Sequence, residues 1–157
     1  MTATREQPWS DDQPAHGRIL VLSANPISQA IFTIGTAAGR LVVVLADDES
    51  GPGLASLAPH EGDAVVLCDH DAPDAPQFLR DALASPASYV AMMASRRRAE
   101  GLLTDLAAEG VPGLEKLHVP AGHDLGGKAP GEIALSVLAE VVAESYGRPG
   151  GPMRGPR

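Results

Sequence analysis

Apolar residues along this chain alternate between short unbroken runs and stretches in which they recur every three or four positions. The run Arg18–Leu22 predicts a strand covered on both faces, as in a parallel sheet. From Ile27 the spacing turns helical through Ala30, Ile31, Ile34 and Ala38, and Gly39 stops it. Leu41–Leu45 predicts a second buried strand, closed by Asp47 and Asp48. Glu49 to Glu61, with Gly51, Pro52, Gly53 and Pro59, reads as loop with little regular structure. Ala64–Cys68 and Tyr89–Met93 predict the third and fourth strands, with a short helix over Gln77–Leu83 between them. A helix over Arg96–Glu109 is expected to bury Leu102, Leu103 and Leu106 and to end at Gly110. Lys116–Val119 predicts a short fifth strand. Pro130–Tyr146 predicts the last helix, with Ile133, Val137, Leu138, Val141 and Val142 on its inner face. Strands alternating with helices in this way predict an α/β fold, doubly wound on a mostly parallel sheet of about five strands with helices on both faces.

Composition narrows this Rossmann-like reading. At 157 residues the chain has room for one core. Residues 1–16 are polar and read as a flexible arm, residues 17–146 as the folded body, and the Gly/Pro-rich residues 147–157 as a disordered tail. A formal charge of −8 disfavours nucleic-acid binding, which needs a basic footprint. The single cysteine, Cys68, excludes a disulfide framework within one chain. No apolar stretch is long enough to span a membrane and no signal pattern opens the chain, so a cytoplasmic protein without membrane association is expected.

In an open parallel sheet, ligands bind outside the carboxyl ends of the strands, so the candidate chemistry is sought in those loops. The first, Ser23-Ala24-Asn25-Pro26-Ile27-Ser28, stands where a dinucleotide site carries G-x-G-x-x-G. Asn25 places a side chain where backbone must approach pyrophosphate, and Pro26 removes an N–H donor, which disfavours NAD(P). Ser23, Asn25 and Ser28 could still surround a smaller anion on the helix N-terminus, or serve simply as its cap. Asp47 falls where a ribose-binding carboxylate would, with Asp48 an equal candidate. His70 between Asp69 and Asp71, with Asp74 beyond, could be a base, a metal ligand or a structural hydrogen-bonding hub. Adjacent residues cannot form a chelating face alone, and although His123 and Asp124 could complete one, no metal is assigned. Ser95 suits a helix cap, but Arg96, Arg97 and Arg98 at the positive end of a helix dipole require anionic compensation. A bound phosphate or the loop carboxylates Asp71, Asp74 and Asp124 would each supply it.

At this loop the sequence becomes similar to a known family. Leu83–Arg97, LASPASYVAMMASRR, resembles the "YVG-x-x-GSRR" segment of the XdhC/CoxI family of xanthine dehydrogenase accessory proteins. Val65–Asp71 with Asp74 resembles its "VVV-x-THD…D" strand end. Val119–Gly127 resembles "PIGLDIGA", and Ala129–Glu140 resembles "TPEEIAVSILAE". The resemblance implies a non-catalytic accessory or maturation factor that handles molybdenum cofactor for molybdenum hydroxylases of the xanthine or CO dehydrogenase type. It implies such a hydroxylase or its maturation proteins as partner. Arg96 and Arg97 would then face the pterin phosphate, with Ser23, Asn25 and Ser28 lining the helix terminus and His70, Asp71 and Asp124 completing the pocket. The sequence departs from the family at "GAGHVG", replaced by Ser23–Ser28, and at the glycines replaced by Ala91 and Ala94. The segment Glu49–Glu61 is short, as if a βα unit had been trimmed. Two alternatives stand beside this reading: a ligand-free interaction module, acting as a homodimer or beside a separate partner, and an NAD(P)-dependent oxidoreductase.

Overall fold

The computed structural model describes residues 6–12, 14–46 and 53–155. Five strands form one sheet: β1 (Ile19–Leu22), β2 (Val42–Leu45), β3 (Ala64–Leu67), β4 (Tyr89–Met92) and β5 (Leu117–His118). The helices are α1 (Pro26–Ala37), α2 (Leu54–Leu57), α3 (Ala75–Ala84), α4 (Arg96–Glu109) and α5 (Pro130–Ser145). Strand order is β2-β1-β3-β4-β5, and every pairing is parallel. This is a Rossmann-like α/β fold, and its order reverses between β1 and β3. Both faces of the sheet are covered. Val21, Val66 and Ala91 pack with Ile31 of α1 and Val137 of α5, while Leu20, Val65 and Val90 pack with Leu79 of α3 and Leu106 of α4. Alternate residues of each strand therefore feed two separate cores.

The register sets the carboxyl edge level: Leu22 stands beside Leu45 and Leu67, and Leu67 beside Met92. Hydrogen bonds from the Met93 N–H to the Leu67 carbonyl (2.9 Å) and from Ala121 to Met92 (3.0 Å) carry the alignment into the loops.

Several elements differ from the sequence reading. Within Glu49–Glu61, residues 49–52 lie outside the described set, as do Asp47 and Asp48. Leu54–Leu57 forms one helical turn because Leu54 is buried and Leu57 packs on the core under α3. α3 begins two residues earlier than predicted, since Pro76 in its first turn forfeits no helical hydrogen bond. Leu103 of α4 is 38% exposed, and Ala99 takes the inner position beside Leu106. β5 is an edge strand of two residues, pairing Leu117 with Val90 and His118 with Ala91.

Gly35 lets α1 lie close on β2. A Cβ there would stand 2.7 Å from Val42 Cγ2, a branched side chain with no freedom to retreat. Alanine gains up to ~1 kcal/mol of helix propensity over glycine, and overpacking costs ~1–3 kcal/mol. Gly35→Ala is therefore expected to destabilise by about 1 kcal/mol, measured as a lower urea midpoint at unchanged slope.

Candidate functional site

The entry to α1 closes on itself. Asn25 Oδ1 accepts from the Ile27 N–H (2.9 Å) and the Ser28 N–H (3.0 Å). The Asn25 N–H donates to Ser28 Oγ (2.8 Å), which donates to the Asn25 carbonyl (2.9 Å). Asn25 Nδ2 donates to the Cys68 carbonyl (3.3 Å), tying this loop to the end of β3. Pro26 has no N–H, and the Gln29 amide bonds the Asn25 carbonyl. Every first-turn donor is thus spent, so the dipole presents no free N–H to an anion. Asn25 and Ser28 form a capping box rather than a phosphate clasp. Cys68 beside them is buried, and burial pushes its thiol pKa up to about 12, so it stays protonated near neutral pH.

The remaining candidates fall into two groups. In the first, His70 Nδ1 lies 3.1 Å from the Met93 carbonyl and its Nε2 lies 3.3 Å from Asp71 Oδ2. Arg98 donates to Asp71 Oδ1 at 3.0 Å, so Asp71 joins the imidazole to α4. Asp69 Oδ1 accepts from the Asp71 N–H at 2.9 Å. Ser95 Oγ accepts from the Arg98 N–H at 3.2 Å and caps α4. In the second group, Arg96 reaches Asp124 at 3.5 Å, both side chains being exposed. The cations at the start of α4 are therefore compensated by carboxylates for Arg96 and Arg98, while Arg97 has no ion-pair partner among the described residues.

His123 and Asp124 line a cleft of about 360 Å³ at the carboxyl edge. Its floor is Ile27, Met93 and Ile133, and its rim runs along the glycine-bearing loop to Lys128. Of the sequence-predicted residues, Ser23, Asn25, Ser28, His70, Asp71, Ser95, Arg96 and Arg97 lie outside its walls. Gly122, at φ +96°, shapes the loop, because a Cβ there would meet Ser136 Oγ at 2.5 Å. His123 Nε2 is buried without a hydrogen-bond partner among the described residues, and Gly150 sits against it. Ser23 Oγ and Asp74 Oδ1 are also buried and unpaired among the described residues. All three atoms belong to loops leaving the carboxyl ends of strands, where the fold's own hydrogen bonding is least complete. Sequence reading missed Lys128, Met93 and Ile133 as cleft residues. Lys128 stands at the end of the loop that follows β5, while Met93 and Ile133 carry no signal apart from their apolar pattern.

Sheet order, self-capped first loop and carboxyl-edge cleft together define an open α/β domain of Rossmann type built without the glycine clasp of dinucleotide enzymes. The model of the XdhC Rossmann domain matches residues 19–141, and the chain belongs to that family. Over 73 residues it is 38% identical to the uncharacterized protein YqeB of Escherichia coli (strain K12), covering 45% of this chain and 14% of that protein. The fold is similar to that of a crystal structure described as a xanthine dehydrogenase from Bacillus halodurans. The TM-score is 0.69 at 20% identity, over 85% of this chain and 44% of that one. This chain thus spans less than half the length of either protein. Among the described residues no helix is long and apolar enough to cross a membrane.

Proposed function

We propose that this chain is a non-catalytic accessory domain serving a xanthine dehydrogenase-type enzyme, and that it handles molybdenum cofactor in the cytoplasm through the carboxyl-edge cleft. Membership of the XdhC Rossmann family carries the reading. The cleft fits the cofactor's ring system: Ile27, Met93 and Ile133 offer apolar contact, and the volume suits a small heterocycle. Lys128 on the rim would take the pterin phosphate, a role the spent amides of α1 cannot fill. When bound, the cofactor supplies the redox centre of the client hydroxylase, and this chain's residues bind and orient it. The partner is then a molybdenum hydroxylase of the xanthine or CO dehydrogenase type or one of its maturation proteins.

The test is titration of the purified chain with molybdopterin released from a donor hydroxylase, followed by fluorescence. Saturable binding is expected, weakened about tenfold in Lys128→Ala through loss of one charge-assisted contact. NAD⁺ at millimolar concentration is expected to leave it unchanged. Equal affinity in wild type and Lys128→Ala, or competition by NAD⁺, overturns the assignment. A ligand-free interaction module is the second reading, favoured by Leu125, which is 55% exposed on the same loop. It predicts capture of a client protein that is lost in Leu125→Asp, with no pterin binding in either variant.

A further inference from the structure

The amino edge of the sheet holds a second cavity, of about 370 Å³, remote from the carboxyl-edge cleft. Arg40 lines it and is 7% exposed. Its guanidinium donates to Ser145 Oγ at 2.9 Å, and no carboxylate lies within ion-pair distance among the described residues. A buried guanidinium with one neutral partner among the described residues is costly, in a chain of 20 acidic and 12 basic side chains. Arg18, in the same wall, shows the contrast: its charge is answered by Asp63 at 2.8 Å. His16 closes the outer side, with Nε2 3.0 Å from Tyr146 Oη. His16 and Arg40 line the same cavity, and burial and the Arg40 charge both lower the His16 pKa. Glu61 and Glu144, both exposed, line the same cavity.

We infer that this cavity binds a small zwitterion whose single carboxylate or phosphate-monoester group pairs with Arg40 and whose cationic end lies towards Glu61 and Glu144. The guanidinium fork matches either anion in two-pronged fashion. The two glutamates select against ligands with further negative charge, since like charges near a low-dielectric wall repel. The site lies at the opposite sheet edge, so its failure leaves the proposed accessory role untouched, and the reverse holds too.

The experiment is amide NMR of the full chain titrated with four probes: β-alanine, phosphoethanolamine, succinate and inorganic phosphate. Saturable shifts at Gly17, Arg40 and Gly62 are expected with β-alanine or phosphoethanolamine, which also tells the carboxylate source from the phosphate source. Arg40→Gln is expected to weaken that binding about tenfold or more, and Glu144→Gln about threefold. Should Arg40→Gln fail to fold, Arg40→Lys keeps the charge, loses the fork and is expected to bind several-fold more weakly. Absence of shifts at those amides with all four probes up to about 50 mM, a threshold that detects even millimolar affinity, overturns the proposal. Equal affinity in the arginine variants overturns it as well, and binding of succinate as tight as that of β-alanine overturns the zwitterion assignment.

Discussion

Replacing Asp63 by alanine is expected to destabilise the protein by about 3–4 kcal/mol, and to lower its Tm by about 10 °C for a domain of this size. The Asp63 side chain is 3% exposed and sits at the start of β3. Oδ1 accepts from the Arg18 N–H at 2.8 Å, and Oδ2 accepts from the Arg18 guanidinium and the His60 N–H, each at 2.8 Å. The same guanidinium donates to the Leu57 and Ala58 carbonyls at the end of α2, at 2.8 and 3.2 Å. One carboxylate thus fastens the first residues of β1 and β3 and, through Arg18, the short helix between β2 and β3. Its removal leaves two backbone donors and a half-buried cation without their acceptor, which costs more than the pair itself contributes. Burial pushes the Asp63 pKa up, but the hydrogen bonds from Arg18 and His60 and the Arg18 charge outweigh it, and the net pKa is lowered. The unfolded carboxyl titrates near pH ~3.9, so the unfolded state binds more protons between that value and the lower folded one. This stabilisation is therefore complete above about pH 4 and is lost as pH falls through the folded pKa. Urea denaturation from pH 7 to pH 2 should show a steep acid limb in the wild type. In Asp63→Asn the limb should be shallower from a lower plateau. An unchanged plateau in both variants would refute the account.

How far the sequence foretells the structure depends on whether the deciding interaction is local. The strand Ile19–Leu22 was legible because burial on both faces leaves an uninterrupted apolar run. The cap of α1 was legible because Asn25 and Ser28 stand three residues apart, within reach of the orphan amides they satisfy. The compensation of the arginines was foreseen as a need, but its distribution was not. That Arg98 meets Asp71 and Arg96 meets Asp124 follows from how three loops converge, and no spacing along the chain encodes it. The two-residue length of β5 was hidden for a similar reason: Lys116 and Val119 have strand-compatible neighbours, but only Leu117 and His118 find partners on β4. Arg18 and Asp63 stand far apart in sequence, and nothing local marks either as half of a pair.

The loss of the first-loop glycines also has a structural companion. The sheet order observed is the doubly wound order 2-1-3-4-5, which matches the Rossmann order 3-2-1-4-5-6 without its outermost strand. β2 becomes the edge, with Leu41 64% exposed before it. Where a dinucleotide's pyrophosphate lies in the complete fold, the α1 terminus here has its Ile27 and Ser28 amides bonded to Asn25. What remains intact at the carboxyl edge lies on the other side of the switch point, around β4, β5 and the start of α5. The cleft that carries the proposed function lies there.

That side is held by Glu140, and Glu140→Ala is expected to cost about 3 kcal/mol and to loosen the cleft loop selectively. Glu140 Oε1 accepts from Tyr89 Oη at 2.6 Å and from the Gly122 N–H at 3.2 Å, and His118 Nδ1 lies 3.6 Å from it. The Tyr89 and His118 rings stack with centroids 4.5 Å apart, so β4, β5, α5 and the cleft loop meet at one oxygen. Tyr89 is 4% exposed. Burial first, then the hydrogen bond and the nearby Glu140 and Glu144 charges, raise its pKa far above the ordinary phenol value, so it remains a donor throughout the usable pH range. Alanine at position 140 strands this buried hydroxyl and frees the Gly122 amide that orients His123. Tyr89→Phe removes the stranded donor, so the double variant should be less destabilised than the sum of the singles, a coupling of about 1 kcal/mol or more. Hydrogen exchange distinguishes this from general loosening. Protection should fall at Gly122 and His123 in Glu140→Ala while amides of β1 and β3 change only by the global loss of stability. Strict additivity of the two substitutions, or uniform loss of protection across the sheet, would show that Glu140 does not organise the loop.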